Sequence, residues 1–126
     1  MARFSPRSNS RLLTCDQRII ALANYVVIER DCTIICGHRE REAQNEAYRL
    51  GFSKVKWPHG KHNSYPSRAV DMAPWDNSDP GIKWNDIEGL EDFALYVQWA
   101  ADRLGIKILS GGLAWGWDWF HHELEN

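Results

Sequence analysis

Two short stretches hold residues whose types and spacing fit metal-assisted hydrolysis. The first runs Gly60-Lys61-His62-Asn63-Ser64-Tyr65-Pro66-Ser67-Arg68-Ala69-Val70-Asp71, and the second runs Asp118-Trp119-Phe120-His121-His122-Glu123. Asp71 interrupts the apolar run from Ala69 to Pro74, and a charge inside a buried strand is costly unless it is paired or binds a metal. His62, Asp71 and His121 offer two imidazoles and a carboxylate, and with an open fourth position that donor set suits a catalytic zinc. Asp118, three residues before His121, is spaced to take a proton from a water and pass it to a leaving amine. Arg39, just after Gly37, is the best-placed cation for a developing oxyanion. Such a set specifies hydrolysis of an amide.

Each of these residues also has a plainer reading. An Asp after an apolar pair is often a turn or cap residue, and a His in a polar loop is often exposed. Arg39 also fits a solvated helix face with Arg41 and Glu42. His122 competes with His121 as a ligand, although the spacing from Asp118 favours His121. Glu123 reads as a group orienting an imidazole rather than as a base. Trp115, Trp117 and Trp119 alternate, so on a strand they face one way, as sheet cover or as a groove lining. Cys32 and Cys36 flank Thr33-Ile34-Ile35 and share a face of a strand. They read as free thiols rather than as a zinc pair, because no second Cys pair follows.

These residues need elements to position them. A helix with Thr14 as N-cap and Asp16 and Gln17 in its first turn buries Ile19, Leu22, Ala23 and Val26. Residues 1 to about 11 read as a lead-in. Cys32 to Cys36 is a β-branched run closed by Gly37, hence a strand followed by a turn. Glu40 to Leu50 is rich in helix formers and ends at Gly51. Gly51 to Ser67 is a long loop, and a short strand follows at Ala69 to Ala73. Pro74 to Lys83 carries turn signals. Asn85-Asp86 then caps a helix with Leu90, Phe93, Ala94, Val97, Ala100, Ala101 and Leu104 on one face, ending at Gly105. Ile106 to Leu109 reads as a strand, Ser110-Gly111-Gly112 as its break, and Leu113 to Trp119 as a loop or edge strand delivering His121. The expectation is an α+β fold. A small antiparallel-rich sheet has about three helices packed around it, with the zinc site on the sheet face.

Composition narrows the function. At 126 residues, the chain has the length of a single domain, spanning 1–126. Fifteen basic against 17 acidic side chains give no electrostatic case for nucleic acid, despite the basic loop of Lys54, Lys56, His59 and Lys61. No apolar run is long enough for a membrane span. The N-terminal positive charge precedes no apolar stretch of signal-peptide type. The odd count of three cysteines argues against a disulfide framework.

The motifs resemble those of the zinc peptidase family of D-alanyl-D-alanine carboxypeptidases and L-alanyl-D-glutamate endopeptidases, especially the small phage endolysins. That family shows Ser-x-His, then Ala-x-Asp before an apolar pair and Pro. The corresponding residues here are Gly60-Lys61-His62 and Ala69-Val70-Asp71-Met72-Ala73-Pro74. Its closing motif is an acidic residue, two residues, His, one residue and Glu-Leu, matched by Asp118 to Leu124. Its early Gly-x-Arg with a following Gln is matched by Gly37-His38-Arg39 and Gln44. The resemblance spans about residues 4 to 124, with departures at Gly60 and in the nine-residue gap between His62 and Asp71. It implies His62, Asp71 and His121 as zinc ligands, Asp118 as base, and Arg39, Gln44 and Ser67 as substrate contacts. It also implies a monomeric phage lysis enzyme cutting peptidoglycan peptide stems. Such an enzyme is held in the host cytoplasm until it is released to the wall. The L-alanyl-D-glutamate bond is favoured, with a D,D- or L,D-carboxypeptidase as the alternative. From another class, a zinc-stabilised domain that only binds the cell wall also fits.

Overall fold

The computed structural model of the protein describes residues 2–125. In chain order the elements are α1 (Pro6–Leu12), α2 (Gln17–Glu29), β1 (Cys32–Cys36), α3 (Arg41–Arg49), β2 (Ala69–Pro74), α4 (Ile87–Leu104), β3 (Ile108–Ser110), α5 (Gly111–Trp115) and β4 (His121–Leu124). A single 3-10 turn, Lys61–Asn63, precedes β2. The strands form one antiparallel sheet in the order β1-β2-β4-β3. The α+β class and the antiparallel sheet are as the sequence indicated.

The core lies on one face of the sheet. Ile19, Leu22 and Val26 from α2 and Phe93 and Val97 from α4 pack with Ile34, Val70, Met72 and Leu124 from the strands. All are fully or nearly fully buried, and side chains of this size contribute roughly 1.5–3 kcal/mol each on burial. The three- and four-residue spacing of apolar positions in α2 and α4 is what turns each helix to this face. Asp16 caps α2 by accepting from Arg18 N at 2.8 Å. Asp86 caps α4, and Gly105 closes it in the left-handed region with φ 71°.

Four local expectations change. The lead-in contains α1, with Ser5 as N-cap and Pro6 at the first helical position, where a missing N–H costs nothing. This helix covers the outer edge of β1: Ser8 Oγ accepts from Ile34 N at 3.0 Å, and the Arg11 guanidinium donates to Ile34 O at 3.0 Å. The α2 cap is Asp16 and not Thr14, whose hydroxyl is engaged with Arg11 O and His38 N. Cys32 and Cys36 do not share a face, because the β1–β2 register shifts between Ile34 and Cys36. The bulge turns Cys36 to the side of its partner Asp71, while Cys32 stays in the core.

The fourth change is at Ser110-Gly111-Gly112, which starts α5 where a break was expected. The two glycines are needed for clearance. A Cβ on Gly111 would lie 2.6 Å from Asp118 O, and one on Gly112 would lie 2.0 Å from the Trp119 ring. The chain therefore doubles back tightly over α5 before entering β4. Trp115 ends α5, Gly116 is left-handed, and the three tryptophans share no strand face.

Candidate active site

Side-chain alternation on β2 and β4 builds the site. Asp71 pairs with His121 across the two strands, so both point to the face opposite the core. Val70 and His122, the next pair, point into the core. His62 enters from the 3-10 turn, with its ring edge-on to His121 at 5.1 Å between centroids. His62 Nε2 lies 3.2 Å and His121 Nδ1 3.4 Å from the same oxygen, Asp71 Oδ1. One donor atom each from His62, Asp71 and His121 fall within 4.8 Å of one another, close enough to share a metal ion.

The donors are fixed from behind. His62 Nδ1 donates to Gly37 O at 2.7 Å, leaving Nε2 for the centre. His121 Nε2 donates to Glu123 Oε1 at 2.8 Å, leaving Nδ1. Glu123 in turn pairs with Lys61 Nζ at 2.8 Å, and Lys61 also reaches Leu124 O. The Trp115 ring stacks on His121 at 5.7 Å. Imidazoles held by a carboxylate or carbonyl on the far nitrogen are typical of metal ligands. The donor set and its outer partners therefore fit a divalent ion.

The electrostatics point the same way. Burial works to raise the pKa of Asp71, but the His62 and His121 charges hold it well below the usual carboxylate range. Burial works to lower both imidazoles, and Asp71 overturns that, so both are raised. Three mutually compensating charges in a half-enclosed spot are what a cation would replace.

Asp118 lines the same hollow as His62, Asp71 and His121. Its φ is 60°, in the left-handed region that Asp tolerates better than most residues but still at a cost. Strain of this kind persists where surrounding packing imposes it, here the crossing over Gly111 and Gly112. Burial, with the nearby Asp71 charge, pushes the Asp118 pKa up from its ordinary value.

Arg39 reaches Asp71 Oδ2 at 3.4 Å and donates to Gln44 Oε1 at 3.1 Å. Gln44 is 1% exposed and donates to Ser53 Oγ and Val55 O, so its amide is largely occupied. Ser67 is fully buried, with its hydroxyl against Ala69 O at 2.6 Å and Gly37 O at 3.3 Å. His62, Asp71, Asp118, His121, Arg39 and Gln44 thus come together, whereas Ser67 lies behind them. Sequence reading missed Asn63, whose buried amide donates to Arg39 O and Gln44 Oε1 and accepts from Gly60 N. Its place three residues after Gly60 in a polar loop is the turn signal that points to it.

A family model described as phage L-alanyl-D-glutamate peptidase matches residues 1–125, and the chain belongs to that family. Membership gives the activity class expected from the sequence, a peptidase acting on the L-alanyl-D-glutamate bond of peptidoglycan. Among solved structures, the fold is similar to the crystal structure of the L-Ala D-Glu endopeptidase ChiX from Serratia marcescens. The TM-score is 0.77 at 20% identity, covering 98% of this chain and 90% of that one. No curated protein matches the chain.

Proposed function

We propose that residues 1–126 act as one monomeric zinc peptidase domain that cuts the L-alanyl-D-glutamate bond during phage lysis. The protein stays in the host cell until it is released to the wall. The observation that carries this reading is the convergence of His62 Nε2, Asp71 Oδ1 and His121 Nδ1 beside the carboxylate of Asp118.

His62, Asp71 and His121 hold the metal. When bound there, zinc supplies a Lewis acid that polarises a carbonyl and acidifies water. Asp118, whose pKa burial pushes up from its ordinary value, takes the proton of the attacking water and delivers it to the leaving amine nitrogen. Arg39, anchored by Gln44 and Asn63, contacts the substrate carbonyl as negative charge develops on its oxygen. Gln44 holds Arg39 in place, and Ser67 steadies the Gly37 carbonyl behind His62, so both support the site from behind. Among the described residues, no helix is long and apolar enough to cross a membrane.

The test is metal analysis of purified protein together with product masses from purified muropeptides, with and without chelator. The expected result is about one zinc per chain and chelator-sensitive release of products cut between alanine and glutamate. Asp118→Asn is expected to keep the metal and lose roughly 10²–10⁴ in kcat. Cleavage only at a C-terminal D-alanine would instead identify a carboxypeptidase. Full metal occupancy without any cleavage would leave a wall-binding domain.

A further inference from the structure

Two hollows meet at Asp71, one lined by more cationic groups and the other more apolar. One is lined by Lys54, His59, Gln44 and Trp115 as well as the ligands. The other is lined by Trp84, Phe120 and Ile35. Phe52, Trp117, Arg39, Asp71 and Asp118 border both, so a ligand crossing the metal position extends one end into each.

On the polar side the cations differ in availability. Lys61 is committed to Glu123 and Leu124 O. Lys54 is exposed, and its ammonium lies 4.3 Å from the Trp117 ring centroid. Among the described residues it makes no ion pair with a carboxylate. A lysine parked on an aromatic face at the mouth of a cleft is oriented yet retains its donors for an anion. On the other side, Phe52 is 72% exposed and Trp84 57% exposed, with Trp84 against Phe120 at 5.1 Å. Large aromatic faces open to solvent are characteristic of binding surfaces.

The two ends of an L-alanyl-D-glutamate stem differ in the same sense. A glutamyl residue continues the chain through one carboxyl group and leaves the other free, so negative charge follows the scissile bond at once. Alanine, on the other side, carries only a methyl group and leads to the neutral sugar.

Building on the peptidase reading above, we propose that Lys54 is a specificity residue that binds the free carboxylate of the D-glutamyl residue. The stem then lies with its acidic end in the Lys54–His59 hollow and its alanyl and sugar end on the aromatic shelf of Phe52, Trp84 and Phe120. The charge complementarity favours this direction, because the reversed stem would put its carboxylate on the Trp84–Phe120 side, where the lining cation Arg39 is already engaged with Asp71 and Gln44, and would leave Lys54 facing a sugar.

The experiment uses the zinc-loaded enzyme and two stems differing at one group, the free carboxylate or its carboxamide. The wild type is expected to favour the acid by about tenfold or more in kcat/KM, chiefly through KM, as loss of a charge-assisted hydrogen bond implies. Lys54→Met is expected to bring the acid down to the level of the amide, and Lys54→Arg to restore most of the preference. Trp84→Ala is expected to slow cleavage of a sugar-linked stem more than that of the same peptide without sugar. A preference for the acid that survives Lys54→Met, or an equal Trp84→Ala loss on both stems, overturns the inference while leaving the peptidase reading intact. A wild type that cuts neither stem overturns the peptidase reading and this inference with it.

Discussion

His121 and His122 are the same residue type at adjacent positions of one strand, yet they occupy opposite chemical worlds. His121 faces Asp71, Glu123 and the His62 ring, and these carboxylates overturn the effect of burial and raise its pKa. His122 faces the core. Its ring sits edge-on to Phe93, its Nδ1 meets Ser110 Oγ at 2.7 Å, and its buried Nε2 has no partner among the described residues. Burial, with the His121 charge adding to it, pushes its pKa down to about 3. Strand parity alone separates a residue of the candidate metal cluster from a core residue. Composition carries none of this; the spacing from Asp118 favours His121, and the pairing of His121 with Asp71 is what sets it on the site face.

The contrast can be broken most severely at His121. His121→Ala is expected to abolish metal binding and activity together while leaving a folded protein, as read by metal content and circular dichroism. His122→Ala is expected to do the reverse. It keeps the metal and most activity but loses about 2–4 kcal/mol in denaturant unfolding, because it hollows the core beside Phe93. If zinc were lost from His122→Ala and retained in His121→Ala, the two roles would have to be exchanged.

Acid distinguishes the pair next. A histidine with a folded pKa of about 3 and an unfolded value of about 6.5 binds its proton only in the unfolded chain between those limits. The contribution of His122 to stability is therefore present above about pH 6.5 and falls as the pH drops towards about 3. Metal-free wild type is expected to lose stability relative to His122→Gln between pH 7 and pH 5, measured by urea titration at both values. The His121 side gives a subtler signal. Glu123→Gln removes the charge that orients its ring and is expected to weaken metal affinity by roughly 10–100-fold, measured by chelator competition. The smallest effect is expected at Ser110→Ala, which strips the one hydrogen bond of His122 and costs about 1 kcal/mol in thermal unfolding, with activity unchanged.

The same contrast explains what the sequence made legible. His62, Asp71, His121 and Asp118 could be picked out because each sits in a short motif whose spacing is local. The helices α2 and α4 were equally plain, since their apolar periodicity spans several turns. The bulge at Ile34/Cys36 was invisible, because it exists only in the register against β2. Likewise α5, five residues with two glycines, has no local reason to be a helix. It forms because the Asp118–Trp119 segment crosses it and tolerates nothing larger. The resemblance implied Ser67 as a substrate contact, and its burial follows from long-range pairing: Ser67 N donates to Thr14 O, and Ser67 O accepts from Asp16 N.

The strand order has a further consequence. The strand latest in the sequence, β4, is not at the rim of the sheet but fills the gap between β2 and β3. A chain cut before His121 would hold an empty slot, with the inner edges of β2 and β3 open to backbone pairing. Such a slot accepts any strand of suitable pattern, including β4 of another copy, so truncation there would turn an enzyme into a sticky acceptor. The same opening makes complementation feasible: a free peptide carrying Asp118 to Leu124, supplied to the truncated chain, would bring His121 and Asp118, the proposed ligand and base, with it as it docks.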